Sequence, residues 1–156
     1  ATGSVIDSRF EGNADGALAV EFSEVDVEGA EFVGNGDSSS LSGGLLVENA
    51  SNVDVSRTTF EGNEAVRGGG IFVDQSNLGV TGSLFNANHG EGAALYLSSA
   101  VQIDVVNCTF FDNRAPVDSG AVVTAEAQLF SSFANSIFAE NQDYAFACSG
   151  TSFDVD

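Results

Sequence analysis

The chain has no lysine and no methionine, one proline, one histidine and two cysteines, and its 156 residues carry a formal net charge of −19. Four arginines are its only permanent cations. That excludes the basic footprint nucleic-acid binding needs and speaks against docking on anionic membrane surfaces. No apolar run approaches the ~18 residues of a transmembrane helix. No leader peptide is visible, and with no initiating methionine the sequence reads as a mature or excised piece of something longer. Two cysteines allow one disulfide at most and leave the compartment open. The acidic surface suits solubility in salt, divalent cations or a cationic partner.

What is present points to strands. Thirteen phenylalanines, 18 glycines and an apolar share of 43% argue against a disordered acidic tail and for short strands with tight turns. The length is enough for a single domain, residues 1–156, with a sizeable core.

The strongest signal is a repeat. Phe-x-x-Asn recurs as Phe10/Asn13, Phe32/Asn35, Phe60/Asn63, Phe85/Asn88, Phe110/Asn113 and Phe138/Asn141, with Phe-to-Phe spacings of 22, 28, 25, 25 and 28. A strand follows each Asn, and a second precedes most of the Phe residues. Period-2 alternation assigns the faces. After the Asn, the inward pairs are Leu18/Val20, Leu45/Val47, Ile71/Val73, Leu95/Leu97, Val122/Thr124 and Phe146/Cys148. Ahead of the Phe they are Val25/Val27, Val53/Val55, Leu78/Val80 and Ile103/Val105. A unit of short strands stacking on its neighbours is a β-solenoid. Six coils and a partial one, rising ~4.8 Å each, give a rod on the order of 30 Å long. The Phe fills one corner of the core by stacking on the Phe of the next coil. Aligned Asn side chains bond one another and the turn backbone. The glycines are expected to supply positive φ before the chain re-enters the sheet.

Phe-x-x-Asn followed by Gly-Gly-apolar, with "NCTFFDN" at 107–113 and "RGGGIFV" at 67–73, resembles the repeat of the polymorphic outer membrane (Pmp-like) proteins of bacterial surfaces and autotransporter-type adhesins. The resemblance covers nearly the whole chain. It implies an all-β, right-handed parallel β-helix of about six coils, exported and displayed at the cell surface. The right hand also agrees with the general crossover preference. The chain departs from the pattern at "HGEGAAL", which lacks a glycine pair, and at "NQDYAFAC", which lacks the glycines. The family's Cys ahead of the Phe is present only as Cys108; Ser8, Ala30, Thr58, Ser83 and Ser136 stand elsewhere.

Several residues are candidates for function. Asp26, Asp54, Asp104 and Asp154 occupy one outward place in the strand before the Phe, with Gly79 and Ser132 interrupting the row. Asp26 and Asp54, on neighbouring coils ~5 Å apart, are a candidate calcium pair or glycosidase pair, against the plainer reading of a solvated acidic face. Catalysis is disfavoured: no lysine is present, the arginines sit beside corners, and His89, the single histidine, lies in a turn. No cofactor is implied, calcium aside. Cys108 and Cys148 are expected to point inward as unbridged thiols. Threonines form no outward array of the kind that binds ice. Ala19, Leu46, Phe72, Tyr96, Val123 and Ala147 should form an outward apolar stripe. Exposed stripes mark interaction faces, so Leu46, Phe72, Tyr96 and Val123 are the candidate partner or self-assembly residues. Cover by the loop 36–43 is the alternative. No cap is legible at either end, so head-to-tail or lateral self-stacking and a partner of surface protein or glycan are expected. The reading is a non-enzymatic extracellular stalk, passenger segment or filament subunit. Its rival is a calcium-dependent carbohydrate-binding or polysaccharide-cleaving module.

Overall fold

The computed structural model describes residues 1–99, 102–126, 130–142, 144–149 and 152–155, with backbone alone for 130 and 152–155. Among these residues there is no helix. Three parallel sheets run the length of the molecule. The first has seven strands: Thr2–Ile6, Glu24–Glu28, Asn52–Ser56, Asn77–Thr81, Gln102–Val106, Phe130–Ala134 and Ser152–Val155. The second holds the six Phe strands: Arg9–Glu11, Glu31–Val33, Thr59–Glu61, Leu84–Asn86, Thr109–Phe111 and Ile137–Ala139. The third holds the strands after the Asn: Leu18–Glu21, Leu45–Glu48, Ile71–Val73, Leu95–Leu97, Gly120–Ala125 and Tyr144–Cys148. Each strand pairs with its equivalent one coil away, as Val53 does with Val25 and Leu78.

Alternation sets the faces. In Asn52–Ser56 the two valines are buried while Asn52 and Asp54 are exposed. The inward rows meet in one continuous core. Six phenylalanines stack along it, with ring centroids 4.8 to 5.2 Å apart from Phe10 to Phe138. This spacing is the strand spacing itself, so register and ring stacking enforce one another.

The Asn after each Phe forms a second ladder. Asn88 Nδ2 donates to Asn113 Oδ1 at 3.0 Å and to Phe60 O at 3.0 Å. Its Oδ1 accepts from Asn63 Nδ2 at 3.0 Å and Asn63 N at 3.1 Å. The same Asn-to-Asn bond runs from Asn13 through Asn35 and Asn63 to Asn141. Each amide offers a donor to one neighbour along the axis and an acceptor to the other, which a single short side chain can do only if it carries both groups. A shorter ladder runs beside the first sheet, where Ser51 N donates to Ser76 Oγ at 3.1 Å and Ser23 N to Ser51 Oγ at 3.3 Å.

One expectation holds in part and another is corrected. Positive φ ahead of the third-sheet strands comes from Gly68 (φ 61°), the first of its run, and from Gly16 and Gly92, but not from Gly69 and Gly70. Left-handed backbone also sits at the corners, at Asp7, Arg57, Asn107 and Asn135 (φ 45° to 56°) as well as at Gly29 and Gly82. The pair Gly69-Gly70 answers to crowding: a Cβ on Gly70 would lie 2.6 Å from Ala94 O and 3.0 Å from the Phe85 ring. In the fifth coil, Val123 and Ala125 face inward, not Val122 and Thr124. Val123 pairs with Leu95 and Thr124 with Tyr96. The extra residue is absorbed by a register shift between Gly120 and Val123, where Gly120 N donates to Thr124 Oγ1 at 3.0 Å.

Candidate functional site

The expected outward apolar stripe is not a solvent-exposed face. Phe72 is 5% exposed and Tyr96 and Val123 are fully buried. Val123 is core, for the reason above. Phe72 and Tyr96 do point outward and stack with centroids 5.4 Å apart, but the chain ahead of the strand folds back over them. A Cβ on Gly68 would meet Ile71 O at 2.5 Å, and one on Gly92 would meet Leu95 O at 2.3 Å. Glu64–Arg67 and His89–Glu91 pair there as a small outer sheet. From it the Arg67 guanidinium lies 5.1 Å from the Tyr96 ring centroid, held by Glu91 at 3.4 Å. This is a cation–π cap on a buried aromatic pair. The Tyr96 hydroxyl is buried beside Glu126 without a well-formed hydrogen bond. Burial pushes its phenol well above the usual range, and Glu126 adds to the shift. Leu46 is half-buried, and with Leu41, Ser42 and Ala19 it lines a hollow of about 250 Å³. The loop 36–43 therefore reaches one end of the stripe. Asp37 Oδ1 holds that loop by accepting from Ser39 N at 2.8 Å and Ser40 N at 3.2 Å.

The acidic row of the first sheet lies where alternation puts it. Asp26 and Asp54 occupy adjacent rungs, both exposed. Gly79 breaks the row, and Asp54 Oδ1 leans to 2.3 Å from where a Gly79 Cβ would stand. Asp104 accepts from Gln102 Nε2 and Ser132 Oγ, both at 2.8 Å. Asp154 falls among the residues described by backbone alone. No group of three His, Cys, Asp or Glu able to hold a metal occurs among the described residues. A calcium ion at Asp26 and Asp54 would take most of its six to eight oxygens from water.

Glu21, Glu48 and Asp74 form a second acidic group at the end of the third sheet. Burial, then the charges of Glu21 and Asp74, push the Glu48 carboxyl above its ordinary value. No disulfide joins the cysteines. Cys108 is buried, its thiol pushed up by desolvation. Cys148, expected inward, is exposed. It pairs in register with inward Ala125 but belongs to the outermost strand of the third sheet.

Reactive side chains converge at one place that sequence reasoning missed. Glu64, His89, Arg114 and Gln142 each follow a ladder Asn and stand on successive rungs. They line a groove of about 540 Å³ with Glu91, Val66 and Pro116. Arg114 is drawn to Asp112, 3.1 Å away. The other three arginines pair with acids too: Arg9 with Glu11 and Glu31, Arg57 with Glu28, and Arg67 with Glu91. The signal that could have found the row is its constant offset of one residue from the Asn.

Compared with known proteins, residues 1–156 match the family model described as the right-handed beta helix region. No curated protein and no solved structure matches. The closed three-sheet coil, its unbroken ladders and the full-length match agree, and the chain belongs to the right-handed β-helix family.

Proposed function

We propose that this β-helix is a non-enzymatic structural element of an extracellular or cell-surface protein: a stiff stalk, passenger segment or filament subunit. The observation that carries the reading is the unbroken Asn ladder from Asn13 to Asn141 beside the Phe stack. Every coil is bonded to the next inside the core as well as across the sheets, which resists bending and shear along the axis. A net charge of −19 keeps such a rod soluble and apart from nucleic acid. The resemblance to Pmp-like surface repeats supports display outside the cell. The partner is a second copy of the chain, packed head-to-tail or laterally, or a surface protein or glycan.

Electron microscopy of the purified chain at low micromolar concentration, with and without calcium, tests this. Stiff short rods support a spacer and long fibres a filament subunit; flexible or collapsed particles remove the structural reading. A second reading is favoured by the groove of Glu64, His89, Arg114 and Gln142: a carbohydrate-binding or polysaccharide-cleaving module, calcium-dependent if Asp26 and Asp54 bind the ion. A polysaccharide panel with and without calcium separates the two. Saturable binding or cleavage lost in His89→Ala and Arg114→Ala would replace the structural reading.

A further inference from the structure

Two Asn-x-Ser/Thr triplets occur in the chain, Asn107-Cys108-Thr109 and Asn49-Ala50-Ser51. Such a triplet is an N-glycan acceptor when the asparagine can carry a bulky group at the surface. The fold treats the two differently. Asn107 is exposed at a corner, with φ 56°, between Gln102–Val106 and Thr109–Phe111. Its backbone N–H is fixed on Ala134 O at 3.1 Å, while its side-chain amide is engaged by no described residue. Asn49 is half-buried, and its Ser51 is 1% exposed, with Oγ donating to Glu48 O at 2.7 Å and accepting from Ser23 N.

An independent observation lies beside Asn107. The outer face of the second sheet changes character along the rod. Its first three coils carry Arg9, Glu11, Glu31 and Glu61. Further on the same face holds Leu84, Phe111 and Ile137, 36%, 41% and 60% exposed. Thr109 sits on the rung between Leu84 and Ile137. An apolar patch on so acidic a surface calls for cover, and the C–H faces of sugars suit an exposed aromatic ring.

We infer that Asn107 is an N-glycosylation site whose neutral oligosaccharide lies over the Leu84–Phe111–Ile137 face; this rests on the exported reading above. In the reaction Asn107 Nδ2 attacks the anomeric carbon of a polyprenyl-phosphate-linked oligosaccharide. A C–N bond forms, the C–O bond to the phosphate breaks, Nδ2 gives up a proton, and nothing is oxidised or reduced. The Thr109 hydroxyl is the group an oligosaccharyltransferase reads.

The test is peptide mapping of the protein produced in its own source, from cell-interior and exterior fractions. Trypsin separates the sites, because residues 68–114 and 10–57 fall in different peptides. The expected result is a glycan on 68–114 that disappears in Asn107→Gln and Thr109→Ala and persists in Thr109→Ser and Asn49→Gln. An exterior protein with an unmodified 68–114 peptide overturns the glycan and leaves export standing. So does a modification that survives Asn107→Gln. A modified peptide found only inside the cell leaves the glycan standing and removes export.

Discussion

Replacing Asn88 by alanine isolates the axial ladder from the sheets. The residue is fully buried and takes part in four side-chain bonds, two donated and two accepted. Truncation strands the Asn63 backbone N–H and one Asn63 Nδ2 proton, and takes a donor from Phe60 O. A buried donor left unsatisfied costs roughly 1–3 kcal/mol, so two of them with the lost contacts amount to about 3–6 kcal/mol. Against a typical domain stability of about 5–15 kcal/mol, that is a large fraction. Urea unfolding, followed by far-ultraviolet circular dichroism, should place the Asn88→Ala midpoint far below the parent's or show a chain already unfolded. Asn88→Asp should be comparably damaging, because a carboxylate keeps the shape and loses both donors. Asn86→Ala is the matched control: Asn86 is half-buried and makes one 3.3 Å bond to Glu61, so its loss should stay within about 0.5 kcal/mol. Equal, small losses in Asn88→Ala and Asn86→Ala would refute the ladder as a source of stability.

Phe60, stacked on both sides at 4.8 Å, should cost about 3–5 kcal/mol as alanine, measured in the same unfolding experiment. Tyr96→Phe should leave stability unchanged or raise it by roughly 1 kcal/mol, since it removes a buried hydroxyl without a good partner and keeps the stack on Phe72. Glu48 has a folded-state carboxyl raised above its ordinary 4.5. Its charged form is therefore a burden above the folded pKa, relieved as the pH falls through that value toward the unfolded one. Glu48→Gln should raise the melting temperature at pH 7, and the gain should vanish below about pH 4.5; a gain that persists in acid would contradict this cause.

The solenoid was legible because its ladders use one residue type at one place. Phe and Asn recur together, and each does something in the fold that only stacking copies can do. What resisted reading lay in the segments between. Val123 reads as outward because Gly120-Ala121 stands where other coils have two small residues before the strand, and alternation counted from the wrong residue inverts every face. Alternation points Phe72 and Tyr96 outward, as they are, but their burial depends on where the residues before Gly68 and Gly92 fold, which no period reports. The glycine pairs look like turn residues, yet at Gly70 the constraint is an approaching carbonyl and the Phe85 ring. His89 and Arg114 look unrelated at a distance of 25 residues and become neighbours only once the coil length is applied.

The central claim, that each coil is an interchangeable axial unit held by its own ladder contacts, is tested most directly by adding one. A second copy of residues 64–88 inserted between Asn88 and His89 continues both ladders without a break. Small-angle X-ray scattering should show the longest dimension increased by ~4.8 Å with the cross-section unchanged, and the unfolding midpoint should not fall. An unchanged length, a wider particle or an unfolded insert would contradict the account.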